Sequence, residues 1–484
     1  MYLGLDLGTS GVKALLIDED QNVVASATDT MKVDRPHSGW SEQDPAEWMW
    51  ATQEVMNKVA DLRGGSLAEV RGIGLSGQMH GATLLDQDGA VLRPCMLWND
   101  TRSHAEAAAM DDDPRFRAIT GNIVFPGFTA PKVEWVRVNE PEIFDHLAMV
   151  LLPKDYLRFW LTGEFVSDMS DSAGTALFDT PKRDWSDELL AHCGLLRQQM
   201  PHLVEGCAPG GLLRDELAKR YGMKPGIPVA GGGGDNAASA IGMGIVAAGQ
   251  AFVSLGTSGV LFAANDAYLP NPESAVHTFC HALPNTWHQM GVILSATDAL
   301  NWYAGIAGAS PDTLAGELGE TLRTPAHAQF LPYLSGERTP HNDAAIRGAF
   351  VGLEHGHDRK VLTQAVLEGV AFALADNLAA LRDTGTNLER VIAVGGGSRS
   401  SYWLKLIATA LNITVDMPAD GDYGAAFGAA RLGLIAAENA DPLSICTPPQ
   451  ISQSIEPDRT MTAAFSDAHE RWRNLYPAIK GATP

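Results

Sequence analysis

At 484 residues the chain exceeds what one hydrophobic core comfortably serves, so two domains are expected. Its 45% hydrophobic and 19% charged content excludes an intrinsically disordered chain. A formal net charge of −23 argues against nucleic acid or an anionic membrane surface as partner, so any bound anion must be held locally, by backbone N–H groups, helix ends or a metal ion.

The five cysteines (Cys95, Cys193, Cys207, Cys280, Cys446) are scattered and none stands at CxxC spacing. Neither a disulfide framework nor a zinc site is expected, and the setting reads as reducing and cytoplasmic. The opening MYLGLDLGTSG lacks the basic region and long apolar run of a secretion signal and reads as a first strand. The 28 residues Ala237–Ala264 carry no charge, a length that could span a bilayer. Five glycines (Gly242, Gly244, Gly249, Gly256, Gly259) with Gln250, Ser254, Thr257 and Ser258 favour instead a small-residue helix, a turn at Gly249 and a buried strand.

LGTSGV occurs twice, at Leu7–Val12 and Leu255–Val260. Each copy follows a short apolar strand (YLGLD, then AFVS) and leads into another (KALLID, then LFAA), so both read as strand–tight turn–strand units. The copies stand 248 residues apart, about half the chain, which predicts duplicated halves. VVASAT supplies a third strand. Asp44-Pro45-Ala46-Glu47 reads as N-cap, N1 proline and capping-box glutamate. The helix it opens, to about Ala60, holds Trp48, Met49 and Val55 among its apolar positions. VRGIGLS (Val70–Ser76) is a buried strand ending at Gly77, and this succession is an α/β layout. In the second half Arg359–Leu381 and Tyr402–Leu411 have helical periodicity and flank VIAV, which runs into Gly395-Gly396-Gly397. The expected division falls near residue 245, giving 1–245 and 246–484. From about Ala440, prolines and polar residues predict a tail that wraps back over the surface.

Asp6 ends a strand immediately before a Gly/Thr/Ser turn. Backbone N–H groups and hydroxyls of such a turn can hold phosphate oxygens, the carboxylate can hold Mg²⁺, and Lys13 could reach a phosphate. A structural Asx-turn is the plain alternative. The second copy has Ser254 where the first has Asp6, which suits one asymmetric metal–nucleotide better than two metals. No GxxxxGK[ST] occurs, excluding a P-loop, and no GxGxxG opens a first βαβ unit. Gly231–Gly234 follows the strand IPVA and brings backbone close to a ligand, with Asp235 at a helix start. Asp235 is either an N-cap or a general base for phosphoryl transfer, and Asn236 could bond the same substrate. Gly395-Gly396-Gly397-Ser398 is a further strand-end turn suited to close ligand approach or to a simple bend. Gln78-Met79-His80-Gly81 lies at a strand's carboxyl end, Met79 as apolar wall and His80 as hydroxyl reader or merely solvated side chain. Trp98-Asn99-Asp100-Thr101-Arg102 offers an aromatic platform for a sugar, or an ordinary strand end with a salt bridge. The polar loop Ser335-Gly336-Glu337-Arg338-Thr339-Pro340-His341 has no role derivable from its residues.

Taken in order, DLGTSG, GQMHG, LWND, GFTAPK, LLPKDYL, GGGGDN, SLGTSG, YLSGERTPHN and GGGSRS resemble the FGGY family of carbohydrate kinases, within the actin-like ATPase superfamily, over essentially residues 1–440. The resemblance implies two actin-like, ribonuclease-H-like domains flanking a catalytic cleft: 1–245 with the sugar and the catalytic Asp, 246–484 with the nucleotide. It implies ATP and Mg²⁺, with Asp235 as catalytic base and Asp6 near the metal. Met79, His80, Trp98, Asp235 and Asn236 fall where the family contacts its sugar. Thr9, Lys13, Gly256, Thr257 and Gly395, Gly396, Gly397 and Ser398 fall around the nucleotide. GQMHG and SGERTPH point to members that phosphorylate D-xylulose on its 5-hydroxyl, over those for ribulose, methylpentuloses, glycerol or gluconate. Val138 and Val361 depart from the two family signatures at positions where a polar residue is common. A family-type homodimer is the expected assembly. A reading of another class, a filament-forming actin-like protein or chaperone ATPase, is disfavoured by the intact GGGGDN and QMHG.

Overall fold

The computed structural model describes residues 1–419 and 421–482. Each LGTSG copy is the tight turn of an antiparallel hairpin: β1 (Tyr2–Leu7) with β2 (Gly11–Ile17), and β7 (Ala251–Leu255) with β8 (Gly259–Asn265). Around the first hairpin, β3 (Val23–Thr30), β4 (Gly72–Gly77), β5 (Pro209–Leu212) and β6 (Pro228–Ala230) assemble in the order β5-β6-β4-β1-β2-β3. Around the second, β9 (His277–Cys280), β10 (Trp287–Ile293), β11 (Arg390–Val394), β12 (Thr414–Pro418) and β13 (Ile451–Ile455) give β9-β10-β8-β7-β11-β12-β13. The two cores correspond in strand order and direction from β3 to β5 and from β10 to β13. In each, the hairpin's first strand runs parallel to the next one in (β1 with β4, β7 with β11) and an antiparallel strand closes that edge. The repeat of six letters is the visible trace of a duplicated sheet. Leu3, Leu5 and Leu7 of β1 and Ile73 and Leu75 of β4 line one face, while Gly4, Gly72 and Gly74 leave the other face open to close approach.

Helix α1 (Pro45–Leu62) starts as its sequence indicates: the Asp44 carboxylate accepts from Ala46 N–H at 2.9 Å, Pro45 is the first helical residue, and Trp48 and Val55 are fully buried. Residues 78–208 insert between β4 and β5 as short helices and two-stranded sheets, among them α2 (Pro153–Thr162). Helix α3 (Asp235–Gly242) leads toward the second sheet. Helix α4 (Arg359–Arg382) is long and apolar enough to cross a membrane, but 94% of its apolar window is buried as the core helix of the second half. Helix α5 (Ser401–Leu411) lies beside it. The charge-free stretch Ala237–Ala264 is α3, a turn, β7 and most of β8.

The division near residue 245 lies between α3 and β7, but the layers do not follow chain halves. Helix α6 (Ala425–Glu438) covers β1, β4 and β6 of the first sheet and lies along α3. Backbone meets backbone there. A β-carbon on Gly74 would stand 1.7 Å from Ala429 O, one on Gly4 1.9 Å from Ala426 O, and one on Gly428 1.7 Å from Ala238 O. Arg431, on the same helix, donates to Ile241 O and Gly242 O at 2.9 and 3.1 Å and so satisfies the carbonyl end of α3. The segment after residue 440 also departs from a surface wrap. β13 extends the second sheet, and α7 (Thr462–Arg473) buries Phe465, Ala468 and Trp472, with Trp472 Nε1 donating to Phe330 O at 2.7 Å. The spacing i, i+3, i+7 of these three residues is the helical signal that the polar composition masks.

Gly74→Val should therefore overpack the α6 contact and cost about 1–3 kcal/mol or more, lowering the thermal midpoint. Gly396→Ala, whose β-carbon would meet nothing within 4 Å among the described residues, should stay within about 0.5 kcal/mol of the parent. Circular-dichroism melts of the two variants check both outcomes.

Candidate active site

The register of the first sheet brings two carboxylates together. Asp6 on β1 faces Ser76 of β4, and Gly233 and Gly234 pair in parallel with Ser76 and Gly77 of the same strand. Asp235 follows directly, so the two acids leave the carboxyl ends of the strands that flank β4 on either side. Burial, reinforced by the charge of Asp6, pushes Asp235 up to about 6. Its Oδ1 accepts from Asn236 N–H at 2.7 Å and Asn236 Nδ2 at 2.9 Å, which opposes that rise. Burial likewise holds Asp6 above the ordinary carboxylate range, against the pull of Ser76 and Lys13. Asp6 Oδ1 is buried without a hydrogen-bond partner among the described residues.

Asp235 is not an N-cap. Gly234 holds that position without a side-chain bond, and Asp235 is the first residue of α3, where the helix dipole favours its anion. The glycine run also works differently from the expectation. Gly231, Gly232 and Gly234 make room for protein, not ligand: their β-carbons would lie 2.4 Å from Glu205 O, 2.3 Å from Leu75 O and 2.7 Å from Met79 Cγ. Gly232 in addition has φ +76°.

Met79 is buried against this turn, and His80 adopts φ 71°, left-handed and uncommon for histidine. Its Nδ1 lies 2.6 Å from Gly174 O. A carbonyl can only accept, so Nδ1 carries the proton and Nε2 keeps its lone pair. Burial lowers the ring to about 3, so it is neutral at physiological pH. The GFTAPK segment builds its surroundings. Phe128 stacks on the ring at 4.6 Å, while Thr129 Oγ1 and Lys132 Nζ donate to His80 O at 3.1 and 2.9 Å. Burial brings Lys132 down to about 7. Residue-level reading had missed Phe128, Lys132 and Gly174, because what they do depends on contacts about 50 to 90 residues away in sequence.

The Trp98 loop contains both of its alternatives. Asp100 and Arg102 form a buried ion pair at 2.6 Å, and Arg102 lies over the Trp40 ring at 3.5 Å. Trp98 itself is 49% exposed, and its Nε1 donates to Thr9 Oγ1 at 3.0 Å. Thr9 Oγ1 in turn donates to Gln78 Oε1 at 2.9 Å. The Thr9 hydroxyl is thus tied to the Trp98 and Gln78 loops, whereas the sequence had grouped it with a nucleotide.

Two cavities, about 550 and 660 Å³, flank the Gly395–Gly397 turn, a size suited to a small-molecule ligand. The first runs from Asn236 past Ser254 and Ser398 to Asp422 and Tyr423; the second is bounded by Asn301, Asp312, Glu320 and Tyr402. Gly395 has φ +91°, and Gly396 faces open space, as close ligand approach requires. Ser398 Oγ donates to Gly395 O at 2.7 Å and so fastens the turn itself. Gly256 O and Thr257 O receive Thr297 and Ala296 N–H, while the Thr257 and Ser258 side chains are exposed. Lys13, expected at a phosphate, is held by Asp422 in an ion pair that joins the two halves of the chain. Asp422 and Tyr423 were not anticipated. Nothing in a single sequence links them to a strand four hundred residues earlier.

A ¹⁵N titration of the imidazoles is expected to show His80 as the Nδ1–H form with no protonation step from about pH 5 to 8. A step in that window would contradict the Gly174 contact.

The chain matches the N-terminal domain of the FGGY family of carbohydrate kinases over residues 1–242 and the C-terminal domain of that family over residues 251–437. It is 50% identical over 480 residues to the xylulose kinase of Escherichia coli strain K12, covering 98% of each chain. A crystal structure of a xyloylose kinase from Brucella ovis is similar at 64% identity and TM-score 0.97, covering 99% of both chains. The xylulose kinase of Rhodospirillum rubrum is similar at 28% identity and TM-score 0.93, covering 100% of this chain and 99% of that one. The expected α/β fold of two actin-like halves is borne out by these likenesses and by the duplicated sheets. With both halves matched and the fold shared from end to end, the chain belongs to the FGGY family of carbohydrate kinases.

Proposed function

We propose that the chain transfers the γ-phosphoryl group of ATP to the 5-hydroxyl of D-xylulose, giving D-xylulose 5-phosphate. The observation that carries the reaction is the Asp6–Asp235 pair at the ends of the two strands that flank β4, one carboxylate with an orphaned oxygen and the other poised near neutrality. A carboxyl at about 6 is ionised at pH 7 yet basic enough to accept a hydroxyl proton as phosphoryl transfer proceeds. The choice of sugar rests on the relatives named xylulose kinase, which match this chain along its whole length.

In this reading residues 1–245 hold the sugar and 246–484 the nucleotide. His80 Nε2 accepts from a sugar hydroxyl, Met79 walls the apolar side, the Trp98 indole offers a platform and Asn236 orients Asp235. The Gly395–Ser398 turn and the second LGTSG turn, with Gly256 and Thr257, receive the nucleotide. Lys13 reaches a phosphate by exchanging the Asp422 carboxylate for it. Thr9 bridges the two sides. The orphaned oxygen of Asp6 fits Mg²⁺, which when bound neutralises charge on the phosphates.

Coupled ADP-release assays over a panel of ketoses and polyols should give the highest kcat/KM with D-xylulose. Preference for another sugar would move the specificity of the Met79–His80 and Trp98 loops, and no sugar-dependent turnover would overturn the proposal. Asp235→Ala should keep sugar and ATP binding while losing roughly 10²–10⁴ in kcat. Because the base must be deprotonated, kcat in the parent should fall as pH drops through about 6. A flat profile down to about pH 5 would remove Asp235 from that role.

A further inference from the structure

Four consecutive glycines are a poor foundation for a catalytic side chain, since glycine restricts its own backbone less than any other residue. Something outside the run must hold it. Beneath it lies a cluster of charged residues that the proposed chemistry does not use. Lys154, Asp155 and Arg158 on α2 are all fully buried, with Asp168 and Asp171 just beyond. Lys154 Nζ stands 2.5 Å from Asp155 Oδ1 and 2.9 Å from Asp168 Oδ1, and Arg158 Nη1 stands 2.9 Å from Asp155 Oδ1. Burial drives Asp171 well above the ordinary range, and its Oδ2 stands 3.5 Å from Lys154 Nζ. The Lys154 ammonium already stands among the carboxylates of Asp155, Asp168 and Asp171.

Two arms leave this cluster for the glycine run. Arg158 donates through Nη2 to Gly231 O and through Nε to Ala230 O at 3.4 Å. Ser170 Oγ donates to Asp168 Oδ2 at 2.5 Å and accepts the Gly234 N–H at 3.2 Å. The run is therefore tied at both ends to one buried ionic anchor, and Asp235 is the next residue. We propose that Arg158 and Ser170 are positioning residues for Asp235: they fix the Gly231–Gly234 backbone and through it the place of the carboxylate, without touching either substrate. This rests on the reading of Asp235 as the base.

Two variants leave the cluster's charges in place. Ser170→Ala removes the acceptor of the Gly234 N–H while Asp168 keeps the Ser170 N–H and Lys154. Arg158→Lys retains a cation beside Asp155 but lacks the guanidinium fork. Each is made alone and combined with Asp235→Ala, and kcat and the KM for ATP are measured with Mg-ATP and D-xylulose. The single variants should lose roughly tenfold to a hundredfold in kcat, the scale of a displaced catalytic group, with the KM for ATP within about twofold. In the Asp235→Ala background neither should cost anything further. Loss by the same factor in that background would assign the residues to general stability and overturn the proposal, as would single variants within about twofold of the parent in kcat. Near-parental turnover of Asp235→Ala alone would overturn the base reading itself, a distinct result.

Discussion

The contact on which the rest of the molecule depends is backbone against backbone, where α6 lies on β1 and β4 and beside α3. Gly4, Gly74 and Gly428 leave no room for a β-carbon, so the helix is seated at one depth and one angle. That depth fixes α3, whose carbonyl end Arg431 satisfies and whose first residue is Asp235. Interiors are packed at crystal density and resist small displacements, so the position of the helix is passed on to the carboxylate. The two sheets, alike in topology, are held as one body by an element drawn from one half and laid on the other.

The electrostatics are arranged on the same scale. A chain with net charge −23 sets two acids at the carboxyl ends of the strands on either side of β4, close enough for the charge of Asp6 to act on Asp235. Burial, reinforced by the charge of Asp6, brings Asp235 into the range useful for proton transfer, while the hydrogen bonds from Asn236 keep it from rising further. His80 is tuned the opposite way, its proton fixed on Nδ1 by Gly174 and its second nitrogen kept neutral by burial. One side chain is thereby prepared to take a proton and the other to accept a hydrogen bond.

Much of this was legible in the sequence, and the failures share a cause. Local signals held: the two LGTSG hairpins, the Asp44-Pro45 helix start, the strand VRGIGLS and the placing of Asp235 at a helix beginning. What the glycine run was for, what Lys13 touches, and how GFTAPK shapes His80 were hidden, because each is a contact between segments far apart in the chain. The tail was misjudged on composition although Phe465, Ala468 and Trp472 carried a helical period. Val138, exposed, and Val361, in the first turn of α4, depart from the family signatures without entering the Asp6–Asp235 region or either flanking cavity.

Helix α6 also sets the order in which the protein can be completed as it is made. The first sheet has all of its strands once residue 234 has emerged, but the helix that covers β1 and β4 begins at Ala425. At ordinary rates of synthesis the gap is on the order of ten to forty seconds, during which the apolar face of that sheet is without its native cover. The nascent first half therefore waits for a helix made near the other end of the chain, and a chain ending between the halves lacks the native cover of β1 and β4.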